Sequence, residues 1–137
     1  MNYLAHLFLA GPEPEAQLGG LLGDFVKPGS GHEFTPLIER EIRVHRMIDS
    51  YTDAHPIVMA AKLNFRPAAR RYAGIILDVY FDHCLAVAWE RYSNEDLDFF
   101  IQRFYRALSE TGIELPERLR QRVPAMISED WLGSYRS

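Results

Sequence analysis

The chain has 137 residues, 47% of them apolar and 25% charged, the balance of one globular domain spanning 1–137 and not of a disordered segment. Its formal net charge of −4 argues against a general nucleic-acid binder, whose balance is basic. A single cysteine, Cys84, excludes an internal disulfide framework and points to a reducing, cytoplasmic setting; no apolar run approaches the ~20 residues of a membrane span, and the N-terminus lacks the basic start of a signal peptide.

Helical punctuation recurs along the chain and no strand pair is evident. Asn2 suits an N-cap and Gly11 a stop, which predicts a first helix between them. EAQLGGLLGDFV (15–26) reads as a second helix whose glycines allow a close neighbour, and KPGSGHEF (27–34) as a loop. Thr35-Pro36 pairs an N-cap with proline at the first helical position, so a helix should run to about Tyr51. His55-Pro56 interrupts it, and a short helix follows to about Leu63. Pro67 opens what reads as the longest helix, to about Arg91. Ser93 to Asp96 is a capping signature for a helix ending near Gly112. Pro116 begins another, which Pro124 should break, and SEDWLGSYRS holds one more turn. The expectation is an all-α bundle of six to eight helices.

The stretch VHRMIDSYTDAHP (44–56) concentrates His, Arg and Asp among apolar residues. On a helical wheel Asp49 lies at about 40° and Asp53 at about 80° from His45, an arc shared with Ile38 and Ile42. That stripe should face the interior or a cleft. A second stripe sits in IILDVYFDHCLAVAW, apolar nearly all round and so expected to be a buried central helix. Asp78 and Asp82 stack there, four residues apart, and burying them is costly unless something positive meets them. Asp24 in GGLLGDFV and His6 in NYLAHLFLA are similarly embedded. Hard oxygen ligands with imidazole suit a divalent cation, Mn²⁺ or Mg²⁺, with Zn²⁺ and Fe²⁺ as alternatives. The bland readings are a His45–Asp49 pair, carboxylates bridged to Arg46 or Arg71, a satisfied core His6, a packed Cys84, and solvated faces for RPAARR and ERLRQR.

Four blocks, MNYLAHLFLA, LGGLLGDFVK, HRMIDSYTDAHP and ILDVYFDHCLA, together resemble the acyl-carrier-protein phosphodiesterase family in its order. The resemblance nearly spans residues 1–89 and thins after Ser93. It implies an all-α, HD-like metal-dependent phosphohydrolase, using Mn²⁺ foremost or Mg²⁺ or Fe²⁺, that removes the 4′-phosphopantetheine arm from holo-acyl carrier protein. Family members usually continue with further C-terminal helices, and the Asp82-His83 order reverses the HD doublet. With that substrate in view, the polar stripes assign Asp24, Asp78 and Asp82, with His6 and His83, to a metal. His45 oriented by Asp49 would move a proton, and Arg46 would offset phosphate charge. Lys27, Arg66, Arg70 and Arg71 would steer an acidic carrier. Rival readings are an HD-like hydrolase of a nucleotide or cyclic dinucleotide, and a non-catalytic helical interaction domain.

Overall fold

In a computed structural model describing residues 1–137, the chain forms seven α-helices and no strand. They are α1 (Tyr3–Leu9), α2 (Pro14–Leu22), α3 (Pro36–Ala54), α4 (Pro56–Leu63), α5 (Ala73–Val87), α6 (Leu97–Glu110) and α7 (Glu117–Ser128). Short 3₁₀ turns cover Pro67–Tyr72, Trp89–Arg91 and Gly133–Arg136. No helix is long and apolar enough to cross a membrane.

The core joins α1, α2, α3, α6 and α7 to the chain end. Leu4, Leu7, Leu21, Leu22, Ile38, Ile42, Phe104, Leu119, Met126 and Leu132 are all essentially inaccessible. α6 shows how the pattern works: Leu97, Phe100, Ile101, Phe104, Tyr105 and Leu108 recur at helical spacing and are buried, while Asp96 caps the helix by accepting from Phe99 N at 3.1 Å. Thr35 and Pro36 start α3 as their pairing predicts, with Thr35 Oγ1 accepting from Ile38 N.

Four expectations are corrected. α2 stops at Leu22, short of the predicted Val26, because Gly23–Phe25 turn back towards α3. α3, at 19 residues, is the longest helix, and the stretch after Pro67 is divided. Residues 67–72 bury nothing, so no packing imposes α geometry there, and the Arg70 guanidinium donates back to Phe65 O and Leu63 O. α5 is not sheathed: Ile75, Ile76, Val79, Tyr80 and Val87 are exposed, as is Cys84. Pro124 lies within α7 instead of breaking it. Its exposed side leaves the orphaned Arg120 carbonyl within reach of water, and buried Leu119 and Met126 hold both halves in place.

Candidate metal centre

α1, α2 with the turn after it, α3 and α5 bring their polar groups to one place. His6 on α1 and His45 on α3 are buried, and their rings stack with centroids 3.5 Å apart. Asp49, one turn beyond His45, touches both: Oδ1 is 3.0 Å from His6 Nε2 and Oδ2 is 3.3 Å from His45 Nε2. Asp24 Oδ1 lies 3.1 Å from the same His45 nitrogen. Asp78 on α5 joins from the far side of Asp49, because the Met1 ammonium bridges them at 2.8 Å to Asp78 and 3.3 Å to Asp49.

His45 is oriented by backbone. Its Nδ1 donates to Gly20 O at 2.6 Å, which in the neutral ring leaves the Nε2 lone pair facing two carboxylates. An imidazole whose second nitrogen is anchored on a carbonyl is the usual arrangement of a histidine ligand. The neighbouring position is kept clear by Gly23, where a side chain would collide with the His45 ring.

So many acceptors in one spot demand positive charge. No lysine or arginine side chain is paired with Asp24, Asp49, Asp78 or Asp82. The Met1 ammonium meets Asp49 and Asp78, and without a metal the rest of the demand falls on a proton. Burial pulls the His45 pKa down, but hydrogen bonds to Asp24 and Asp49 outweigh it and raise the value to about 9. Burial likewise works against ionised Asp49, yet the bonds from His45 and His6 hold its carboxyl well below the usual range. His6, His45 and Asp49 each offer a ligand atom within 4.8 Å of the others. Two imidazoles and two carboxylates are a donor set suited to a divalent first-row ion. The residues therefore fit a metal, and buried His6 Nδ1, unlike His45 Nδ1, has no hydrogen-bond partner.

The other expected site residues go elsewhere. Asp82, fully buried, has Oδ1 accepting from Asn2 N at 3.1 Å and Oδ2 from Ala5 N at 3.2 Å, so it caps the start of α1. Asn2 was expected to cap that helix but its side chain makes no such bond. Burial lifts the Asp82 pKa to about 6, against the pull of those amides. His83 Nδ1 is bonded to Tyr135 O at 2.6 Å, tying α5 to the C-terminal turn. Asp53 is exposed beside Lys62. Arg46 donates to Val26 O at 2.8 Å, next to Lys27 at one end of the site. Arg71 packs over Tyr72, and Arg66 and Arg70 lie in the exposed 62–72 stretch. His45 and Asp49, expected to form a proton relay, stand inside the donor group itself. Three contributors escaped the sequence reading, the first being the Met1 ammonium between Asp49 and Asp78. The Gly20 carbonyl carries no sequence signal, and Arg118, exposed as the solvated-face reading has it, also reaches Asp24 O across 94 residues.

An all-α fold with imidazoles and carboxylates gathered from separate helices defines the class: a helical protein built around a candidate metal centre. The chain belongs to the acyl carrier protein phosphodiesterase family, whose model matches residues 1–137. Relatives described as acyl carrier protein phosphodiesterase include those of Yersinia pestis, 37% identical over 98% of this chain and 70% of the relative, and of Photorhabdus laumondii, 32% identical over 98% and 69%. One from Escherichia coli O6:H1 is 38% identical over 99% of this chain and 71% of its own length. No solved structure matches the chain.

Proposed function

We propose that this chain is a metal-dependent phosphodiesterase that hydrolyses the bond between 4′-phosphopantetheine and the serine of holo-acyl carrier protein, giving the apo carrier and free 4′-phosphopantetheine. The observation that carries the reading is the convergence of Asp24, His6, His45 and Asp49 in a chain matched over its whole length by the phosphodiesterase family. These four residues would hold the ion, Mn²⁺ foremost, with Mg²⁺ or Fe²⁺ as alternatives. When bound, it supplies Lewis acidity towards a phosphoryl oxygen and a water of lowered pKa.

The chain's own residues do the rest. The Gly20 carbonyl keeps the proton on His45 Nδ1 and so keeps Nε2 a donor of electrons. Asp49 bonds the Nε2 of each of the two stacked imidazoles and so fixes both relative to the site. Asp78 touches no imidazole; the Met1 ammonium, 2.8 Å from it, ties it to Asp49 at the edge of the donor group. Arg46 and Lys27 offset the phosphate's charge from the Asp24 side. Arg66, Arg70 and Arg71 form a positive edge in a chain of net charge −4, suited to steering an acidic carrier. A free, exposed Cys84 suits the reducing cytoplasm.

The deciding experiment is incubation with holo-acyl carrier protein and Mn²⁺, followed by intact mass. The expected result is loss of the prosthetic arm, prevented by EDTA. A carrier mass that stays unchanged with every divalent ion tried would end the proposal.

A further inference from the structure

We propose that the cavity between the α2–α3 loop and α7 binds the phosphate-monoester end of the released arm, and that Arg118 is a product-binding residue of this enzyme. The inference rests on the function proposed above. The cavity has a volume of about 460 Å³, within the range of small-molecule sites. Asp24 stands at its wall, so the cavity opens directly off the donor group around His45.

Its charge is what singles it out. Lys27, Arg46 and Arg118 line it, and none of the three is paired with a carboxylate. Asp24 is the one acid among the lining residues. Both guanidiniums are held in place: Arg46 donates to Val26 O, while Arg118 donates to Asp24 O and stacks over the Phe25 ring at 5.2 Å. Each spends one N–H on a carbonyl, and a guanidinium has five, so donors remain for an anion.

Hydrolysis changes the charge of the group these cations would meet. The substrate phosphodiester carries one negative charge. Water adds at phosphorus, the bond to the seryl oxygen breaks, and that oxygen leaves with a proton. The arm is left as a phosphate monoester carrying close to two negative charges at neutral pH. Three unpaired cations beside the reaction centre therefore favour the product over the substrate, and product release is the step that Arg118 slows.

The test compares 4′-phosphopantetheine with pantetheine, which lacks the phosphate, as inhibitors of carrier turnover and as ligands in calorimetry. The wild-type protein should prefer the phosphorylated compound. Arg118→Ala should weaken that preference roughly tenfold, and Arg118→Lys should restore part of it. Arg120→Ala, which removes a charge on the same helix outside this cavity, should leave it unchanged. If Arg118→Ala lowers thermal stability but keeps the full preference, Arg118 is only a clamp on the loop and the proposal falls. If it raises KM for the carrier with the preference intact, the cavity receives an acidic side chain of the carrier, and the proposal falls equally. Calorimetry separates this inference from the reading beneath it. A protein without turnover that still binds 4′-phosphopantetheine through Arg118 would sink the function and keep the anion site.

Discussion

Asp49 is the side chain on which the site turns, since it is the one group bonded to both imidazoles. Asp49→Asn should abolish tight Mn²⁺ binding and cut turnover on the order of a hundredfold or more, with helical content unchanged by circular dichroism. His45 governs the pH response. Its folded pKa of about 9 lies above the ordinary value of 6.5. The stability it contributes is thus complete below pH 6.5 and is lost as pH rises towards 9. In EDTA, the denaturant midpoint should fall across that window by an amount equivalent to about 1–3 kcal/mol after screening, and His45→Gln should flatten the fall. Mn²⁺ binding must displace the same proton, so its affinity should climb over the same range. Asp82 acts in a lower window. With a folded pKa of about 6 against 3.8, it favours the fold most when protonated and adds a declining limb between pH 4 and 6.

At the scale of elements, α1 has seven residues and little to stabilise it alone. It is held at its start by the Asp82 carboxylate, contributed from the middle of α5. Asp82→Ala should leave buried N–H groups of α1 unpaired and cost about 1–3 kcal/mol. Hydrogen exchange should show the loss first at Ala5. A metal-ligand role for Asp82 would instead leave exchange untouched and remove Mn²⁺. The turn after α2 carries a comparable dependence. Gly23→Ala would drive a methyl group into the His45 ring, so Mn²⁺ affinity should drop more than thermal stability does. The C-terminal turn is anchored by Tyr105, whose hydroxyl donates to Asp130 and accepts from Leu132 N. That turn delivers the Tyr135 carbonyl to His83, which explains why His83 is absent from the donor group.

For the whole molecule, charge is separated in a useful way. The chain is acidic overall, yet residues 62–71 carry Lys62, Arg66, Arg70 and Arg71 and no acid. Arg70 is partly committed to backbone carbonyls, so Arg71 is the better probe. Arg71→Glu should raise KM for holo-carrier severalfold at low salt and flatten the salt dependence of kcat/KM, with kcat little changed. An unaltered salt dependence would remove this edge from the carrier's path.

The sequence by itself determined the all-α class, the one-domain length and most helix starts, because caps and prolines act within a few residues of themselves. Thr35-Pro36 shows this directly; after Ser93 the helix starts three residues later than S-x-x-D predicts, with Asp96 as its cap while Ser93 accepts from Glu95 N in the turn before it. Periodicity also marked the polar stripes of α3 and α5 as unusual. It could not say what each group would meet. His45 and Asp49 read as a relay because they are four apart, and only folding set Asp24 and His6 against them. Asp82 and His83 looked like ligands until the start of α1 and the Tyr135 carbonyl were brought to them. Arg118 and the Gly20 carbonyl could be found only in three dimensions. Ligand geometry depends on contacts between residues far apart in the chain, and those are decided by how the helices pack, not by the spacing within any one of them.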